Sequence, residues 1–409
     1  MKVLVAAAAL ALAGCGTDAR RAEPGSAADV RALGAHMQAA HPSIYHSVSR
    51  TRFAAARDEL VRRAPELGRD ELLVELMRFA ALAGERDGHT GIFPLDSAHR
   101  QQLHLFPIRL YHFPDGLYVV GQVGARRDLV GKRLVSVGDV PVADALARVR
   151  PLVPHDNEQS LRARAPQWLV TAEVLRGLRI VSDERVRFGF ADGSETLLSA
   201  VPAARYAAAF GDLFHPMVPQ GLPQRPAPPF LQNRNRATWI RSLAGGGTLY
   251  LAYNFMTVST NDVAARVQRL VARPRVNRLI LDLRHNPGGD YFTSAPLLES
   301  LRQLPRRVRL VVLAGRTTFS AAQILAVELE RRARPRFVGE PTGGSPNLYG
   351  DPSARLLPDS GWNANVATVY WRQSRPGDPR LTIRPHVHVR YSAADFFAGR
   401  DPVLVRALR

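Results

Sequence analysis

Three groups of residues in this 409-residue chain could do chemistry. The first is Ser320, where the apolar run Val311-Val312-Leu313-Ala314-Gly315 passes through Arg316-Thr317-Thr318-Phe319 into an amphipathic stretch opening Ala321-Ala322-Gln323. A serine at a strand-to-helix junction is an ordinary N-cap. It is also where a nucleophile belongs, with Oγ at the positive end of a helix dipole and the Ala321 N–H available to an oxyanion. The second group follows another apolar run, in Leu281-Asp282-Leu283-Arg284-His285-Asn286-Pro287-Gly288-Gly289-Asp290. Gly288 and Gly289 lack Cβ, so main-chain N–H groups can approach a ligand closely and form an anion site. The third is the polar turn Arg86-Asp87-Gly88-His89-Thr90-Gly91. It projects His89, whose ordinary pKa of about 6.5 suits proton transfer at neutral pH.

A serine hydroxyl needs a base to take its proton. Among 55 basic residues only Lys2 and Lys132 are lysines, and none lies in 133–409. Arginine stays charged at every working pH and cannot take the proton. A mechanism needing a lysine therefore has almost nowhere to put it, and His89 and His285, each beside a glycine turn, are candidate bases.

The elements that must position these residues are legible as changes of texture. Residues 28–83 read as helical, with Leu72, Leu73, Leu76, Met77, Phe79 and Leu82 at helical spacing and breaks at Pro42 and Pro65. From 100 to 205 short β-branched runs alternate with turn signals such as Pro114-Asp115-Gly116 and Ala191-Asp192-Gly193, which predicts a β-rich module. Six prolines between 216 and 230 predict a linker. From 237 onward apolar strands alternate with helices, the pattern of an α/β fold with parallel pairing, whose catalytic residues belong at strand ends.

The two strand ends, with Phe337-Val338-Gly339-Glu340-Pro341-Thr342-Gly343-Gly344 and the closing Gly399-Arg400-Asp401-Pro402-Val403-Leu404, together resemble the S41 peptidase family of C-terminal processing and tricorn-core proteases. Gly116-Leu117-Tyr118-Val119-Val120 and the stretch 129–142 resemble the second half of a PDZ-like domain. The resemblance implies an α/β chain with a crotonase/ClpP-like ββα catalytic core at 237–409. Before it come a helical N-terminal domain at 28–95, a PDZ-like β-rich domain at 100–205 and a Pro-rich linker at 206–236. It implies a serine endopeptidase acting on unfolded or C-terminal segments of proteins, with Ser320 as nucleophile and Gly288, Gly289 and Ala321 around the oxyanion. Many members carry a catalytic lysine shortly after the Gly-Glu-x-Thr turn, and here that position is Ser345. The tricorn-like branch takes a histidine from before the core, which matches His89, and an acid after the serine. Asp378, shortly before Thr382-Ile383-Arg384-Pro385-His386, is the expected acid, with Glu340 as the alternative.

Residues 1–15 read as a targeting segment: Lys2, an apolar run from Val3 to Ala13, and the box Leu12-Ala13-Gly14-Cys15. The stretch resembles a bacterial lipoprotein signal, which implies lipidation of Cys15 and a tether at 16–27. By the same resemblance, Gly16 after the cysteine implies the outer membrane. One cysteine excludes an internal disulfide, a multi-cysteine zinc site and an iron–sulfur cluster. A hydrophobic fraction of 46% supports real cores and excludes a wholly disordered chain. The net charge of +19 reads as a solvated arginine-rich surface or as attraction to an anionic membrane or acidic partner. No basic run interleaved with aromatics is present, so nucleic acid is set aside. His386 and His388 could present two imidazoles on one strand face, but no third ligand follows at a convincing spacing, so neither a metal nor another cofactor is expected. Protein or peptide substrates and a membrane reached through Cys15 are the expected partners. A non-catalytic hydrophobic-ligand or peptide-binding protein on the same core is the competing reading, and a scaffold using the PDZ-like module on partner tails is a third.

Overall fold

A computed structural model describes residues 26–96, 102–210, 227–243 and 245–409. The targeting segment and Cys15 lie outside the described residues. Among those described, no helix is long and apolar enough to cross a membrane.

Three helices, Ala27–Ala40, Arg50–Arg63 and Arg69–Ala80, open the described chain. Ser26 and Ser49 cap the first two through their hydroxyls, and Asp70 and Glu71 lie in the first turn of the third, where carboxylates offset the helix dipole. The first helix stops two residues before Pro42, and Pro65 lies in a short 3₁₀ turn after the second, so both prolines mark breaks. Val30, Leu33, Phe53, Leu73, Leu76 and Met77 are all fully or almost fully buried in one core.

The stretch after it is less purely β than its composition suggests. Ile108–Phe113 and Gly116–Gln122 form a hairpin, and Val140–Pro141, Leu134–Val137, Arg185–Phe190 and Glu195–Ser199 form a four-stranded sheet in that order. Between these strands run three helices, Val142–Val149, Glu158–Trp168 and Ala172–Gly177. The expected β pattern does not include them. Asn157 starts the second one, its side chain accepting from the amides of Gln159 and Ser160 while Ser160 returns a bond to the Asn157 amide. That is a capping box written in Asn and Ser.

Residues 237–409 build a six-stranded sheet in the order Thr238–Ser242, Thr248–Tyr253, Arg278–Asp282, Arg309–Ala314, Arg336–Gly339 and Val387–His388. The first pair is antiparallel and the rest are parallel. Helices Asn261–Val271, Ala295–Arg302 and Ala321–Arg332 make the crossovers. Apart from their first residues, the three central strands are buried along their length, as parallel strands covered on both faces must be. The chain is thus α/β, and the strand ends at Asp282 and Ala314 are neighbours by register.

A long hairpin, Asn347–Leu356 with Asn363–Arg372, joins the short strand Gly91–Ile92 in a separate three-stranded sheet. Leu357, Trp362, Ala364 and Val366 from this hairpin bury their side chains in the core of the N-terminal half. The hairpin thus joins the two halves through apolar contact, while the six-stranded sheet keeps cores of its own. The C-terminus is tied down by charge: buried Arg284 makes two 2.9 Å bonds to Asp401 and further bonds to Asp282, whose carboxylate also accepts from Tyr250. Asp401 in turn caps helix Pro402–Ala407 by accepting from the Leu404 amide.

Candidate active site

Ser320 sits at the expected junction in a conformation that most residues avoid, φ 51° and ψ −128°. Its hydroxyl makes no capping bond to the helix it precedes. The ordinary N-cap role is thereby excluded, and a positive φ on a residue with a Cβ is backbone strain of the kind that collects at functional sites. The loop before it is held from several sides. The Thr318 hydroxyl donates to the Leu283 carbonyl at 2.8 Å and accepts from the Gly315 amide, while the Thr318 carbonyl accepts from the amides of Gly343 and Gly344. The Phe319 amide donates to the Asn286 carbonyl at 3.2 Å, joining this loop to the glycine turn.

That turn is organised by Asn286, whose side chain is fully buried, donates to the Tyr253 carbonyl and accepts from the Gly288 amide, both at 2.9 Å. Gly288 and Gly289 have φ of 108° and 129°. A Cβ on Gly288 would stand 2.7 Å from Ser320 Cβ, and one on Gly289 would stand 2.1 Å from the Met256 carbonyl oxygen. Only glycine fits either place. Of the three amides expected around an oxyanion, that of Gly288 is turned inward to Asn286. The amides of Gly289 and Ala321 make no hydrogen bond among the described residues. Gly288 therefore contributes close approach to the serine, and the two free donors belong to its neighbours.

His89 comes from the other half of the chain, and its Nε2 lies 2.9 Å from Ser320 Oγ. The amides of Arg86, Gly88, His89 and Thr90 in its turn are all held. Buried Asp87 accepts from the amides of His89 (3.3 Å) and Thr90 (2.9 Å) with one oxygen, and meets His41 Nε2 at 3.0 Å with the other. His41 Nδ1 accepts from the Ser43 amide, so its proton is on Nε2 and is donated to Asp87. Asp156, fully buried, accepts from the Gly88 amide and the Ser345 amide at 2.8 Å each. Arg164 donates to the carbonyls of Gly88 and Pro154. The imidazole stacks on Phe319 with centroids 4.7 Å apart, and the Arg164 guanidinium lies 4.4 Å from the centre of the same Phe319 ring.

The electrostatics follow from this packing. Burial, then the Arg164 cation, hold His89 down to about 4, against the opposing effects of the Asp87 carboxylate and the Tyr349 backbone carbonyl. The ring is neutral at ordinary pH, with Nε2 as acceptor toward the serine. Burial pushes Asp156 up to about 7, although two amides and Arg164 favour its charged form. Asp87 is lowered: burial alone would raise it, but the bonds from His41 and Thr90 win.

Asp378 corrects the expectation of a third member. Its carboxylate is gripped by Arg380, two residues on, through Nε, Nη2 and the main-chain amide, and by the Ser374 hydroxyl. The Arg380 bonds hold it well below the usual carboxylate range. No hydrogen bond joins it to His89, and only its main-chain carbonyl reaches the histidine turn, through Arg86. Glu340 is likewise committed, bidentate to Arg316 at 2.6 and 2.9 Å. His285 is partly buried, stacked on Phe230 at 5.3 Å. His386 accepts from the Phe337 amide. His89 Nδ1 itself is buried with no side-chain partner. Asp87 was in plain view two residues before His89, an Asx-type signal for its own turn. Asp156 and Arg164 reach the histidine turn across long sequence separations and carry no local signature, whereas Asn286 opens its own Asx turn two residues before Gly288.

A cleft of about 390 Å³ opens at Ser320 and is lined also by Gly289, Ala321, Leu348 and Trp371. A larger one, about 1250 Å³, lies between the N-terminal helices and the strands around 185–197, and neither Ser320 nor His89 lines it. The arrangement at the smaller cleft can do acyl transfer: a strained serine hydroxyl, a neutral imidazole in hydrogen-bond reach, and two uncommitted amides beside them.

No protein-family model and no curated protein matches this chain. Comparison with solved structures finds mature CPAF complexed with lactacystin at 14% identity and a TM-score of 0.60, covering 91% of this chain and 95% of that one. A CPAF mutant matches at 14% identity and 0.61, with 91% and 94% covered. The photosystem II D1 C-terminal processing protease is also found, at 14% identity and 0.43, with 89% and 92% covered. CPAF is an S41-family peptidase, and the fold of this chain is that of CPAF.

Proposed function

We propose that this protein is a serine endopeptidase that hydrolyses peptide bonds in unfolded or C-terminal segments of cell-envelope proteins. The observation that carries the reading is the 2.9 Å contact between His89 Nε2 and the hydroxyl of a serine held at positive φ. Ser320 Oγ attacks the scissile carbonyl as its proton passes to Nε2. The amides of Gly289 and Ala321 donate to the oxygen that gains the charge. The imidazolium then protonates the leaving amine, and water resolves the acyl-enzyme by the same steps. The dyad is oriented by the main-chain cage around His89 rather than by a carboxylate on Nδ1. Every step uses side chains and amides of this chain, and the scheme calls for no cofactor.

The fold shared with S41 peptidases supports the reaction class, and the leader sequence supports the place. Acylation of Cys15 would tether the enzyme to the envelope, outer membrane included, with the 16–27 segment as spacer. The test is direct. Wild-type protein should cleave unfolded casein and be labelled at Ser320 by a fluorophosphonate. Ser320→Ala should lower cleavage by at least about 1,000-fold while leaving the fold intact. Cleavage that survives this change removes the proposal. Incorporation of labelled palmitate into wild-type protein but not Cys15→Ser checks the anchor.

A further inference from the structure

The cleft beside Ser320 has a character of its own. An acyl group attached to Ser320 must point its carbonyl oxygen at the amides of Gly289 and Ala321, and those residues and Ser320 wall this one cleft. The side chain on the acyl side of the cut bond is therefore delivered here. What it meets is aromatic. Tyr291, Phe292 and Trp371 lie with ring centroids 5.7, 6.1 and 6.4 Å apart, and Ile324 and Leu348 add aliphatic surface. Leu348 and Trp371 face each other directly across the hairpin, on one side of its sheet. Phe292 is 71% exposed, a large apolar ring left in solvent at the rim of a cleft. Its place is fixed: Asp290 accepts from the Phe292 amide and starts the short turn Tyr291–Ser294 immediately after Gly289. The aromatic wall and the oxyanion amide are one continuous segment.

The charge is equally one-sided. Asp290 and Asp351 line the cleft and no Lys, Arg or His does, on a chain with 55 basic and 36 acidic residues. Neither carboxylate enters an ion pair among the described residues, and Asp351 is exposed. We infer that this cleft selects a bulky aromatic or aliphatic side chain on the acyl side of the scissile bond, in segments that carry Lys or Arg next to it. The inference rests on the peptidase reading and names the substrate class for the same serine.

The full-length protein should be assayed on a series of fluorogenic peptides that differ only at the acyl-side residue, Phe, Leu, Ala or Asp, each with a Lys or a Gln beside it. Phe and Leu should exceed Ala by about 10- to 200-fold in kcat/KM, the range a hydrophobic pocket can discriminate, and Asp should be poorest. Lys-flanked peptides should exceed Gln-flanked ones severalfold, less so at high salt. Phe292→Ala, at a solvent-exposed ring, should compress the Phe-to-Ala ratio, and Trp371→Ala should compress it further if the variant folds. Asp351→Asn, which suits the same positive φ, should narrow the Lys-to-Gln ratio. A wild-type enzyme that cleaves these peptides but prefers Ala or Asp overturns the assignment, as does a Phe-to-Ala ratio that Phe292→Ala leaves unmoved. If no peptide is cleaved and fluorophosphonate leaves Ser320 unlabelled, the peptidase reading itself fails, and the selectivity with it.

Discussion

On the proposed reading His89 is a base kept neutral by its surroundings, and its titration should betray that. The reaction needs the unprotonated ring, and burial together with Arg164 lowers its pKa from 6.5 to about 4. As pH falls, the working form should persist below the ordinary histidine value and disappear only toward about 4. A kcat/KM profile whose acid limb falls at the ordinary value would show that the caging does not act on the base. Asn286 is the second residue to probe, because it satisfies two buried main-chain groups and sets the Gly288–Gly289 turn. Asn286→Ala strands a carbonyl and an amide, at a cost of about 1–3 kcal/mol each. Activity should fall with kcat more than KM, since the amide at Gly289 would lose its aim. Ser320 and His89 were legible in the sequence because each announces itself locally, one at a strand-to-helix junction and one on a glycine turn. Asp378 was misread for an equally local reason: a single arginine two residues away claims the carboxylate.

At the scale of elements, the histidine turn is a joint between segments that are far apart in the chain. Asp156 binds it to the turn at Ser345, and Asp87 binds it to His41 at the end of the first helix. Asp156 is held at a raised pKa, about 7 against 3.8 for the free group. In the window between those values the folded protein holds more protons than the unfolded chain, so this carboxyl costs stability as pH rises and the cost is complete above about 7. Asn cannot titrate but can accept only one of the two amide bonds. Compared with wild type, Asp156→Asn should lose stability at low pH and lose progressively less as pH rises toward 8, measured by denaturant unfolding at each pH. A difference that is flat across the window would mean that Asp156 is charged throughout. The strands of the core were legible from their apolar runs, and the first helices from their spacing and prolines. Helices Glu158–Trp168 and Ala172–Gly177 were not, since Pro166 and a polar opening disguise the first, and its start depends on an Asn–Ser capping pair.

Across the whole molecule, arginine does structural work that lysine could not copy. Arg316 grips Glu340 with two nitrogens and reaches the His112 carbonyl with a third, joining the core to the hairpin at 108–122. Arg284 does the same between Asp282 and Asp401. Arg284→Ala leaves two buried carboxylates without their cation and should cost about 3–5 kcal/mol, seen as a lower midpoint in thermal unfolding. Arg316→Lys keeps the charge but not the fork, and should loosen the contact between the two halves at little cost to either core alone. This division of labour explains why the arginine-rich composition said so little in advance: its meaning depends on which carboxylates the fold brings near.

The proposed nucleophile and base are 231 residues apart and rise from different halves. The proposed dyad is in that sense a two-part lock with neither part able to turn alone. A polypeptide beginning at 237 would hold Ser320 and both free amides but no proton acceptor, and one ending at 210 would hold His89 with nothing to activate. Severed between 210 and 227 and supplied together, the fragments should find each other through the hairpin residues that pack into the N-terminal core and regain cleavage, while either one alone stays silent.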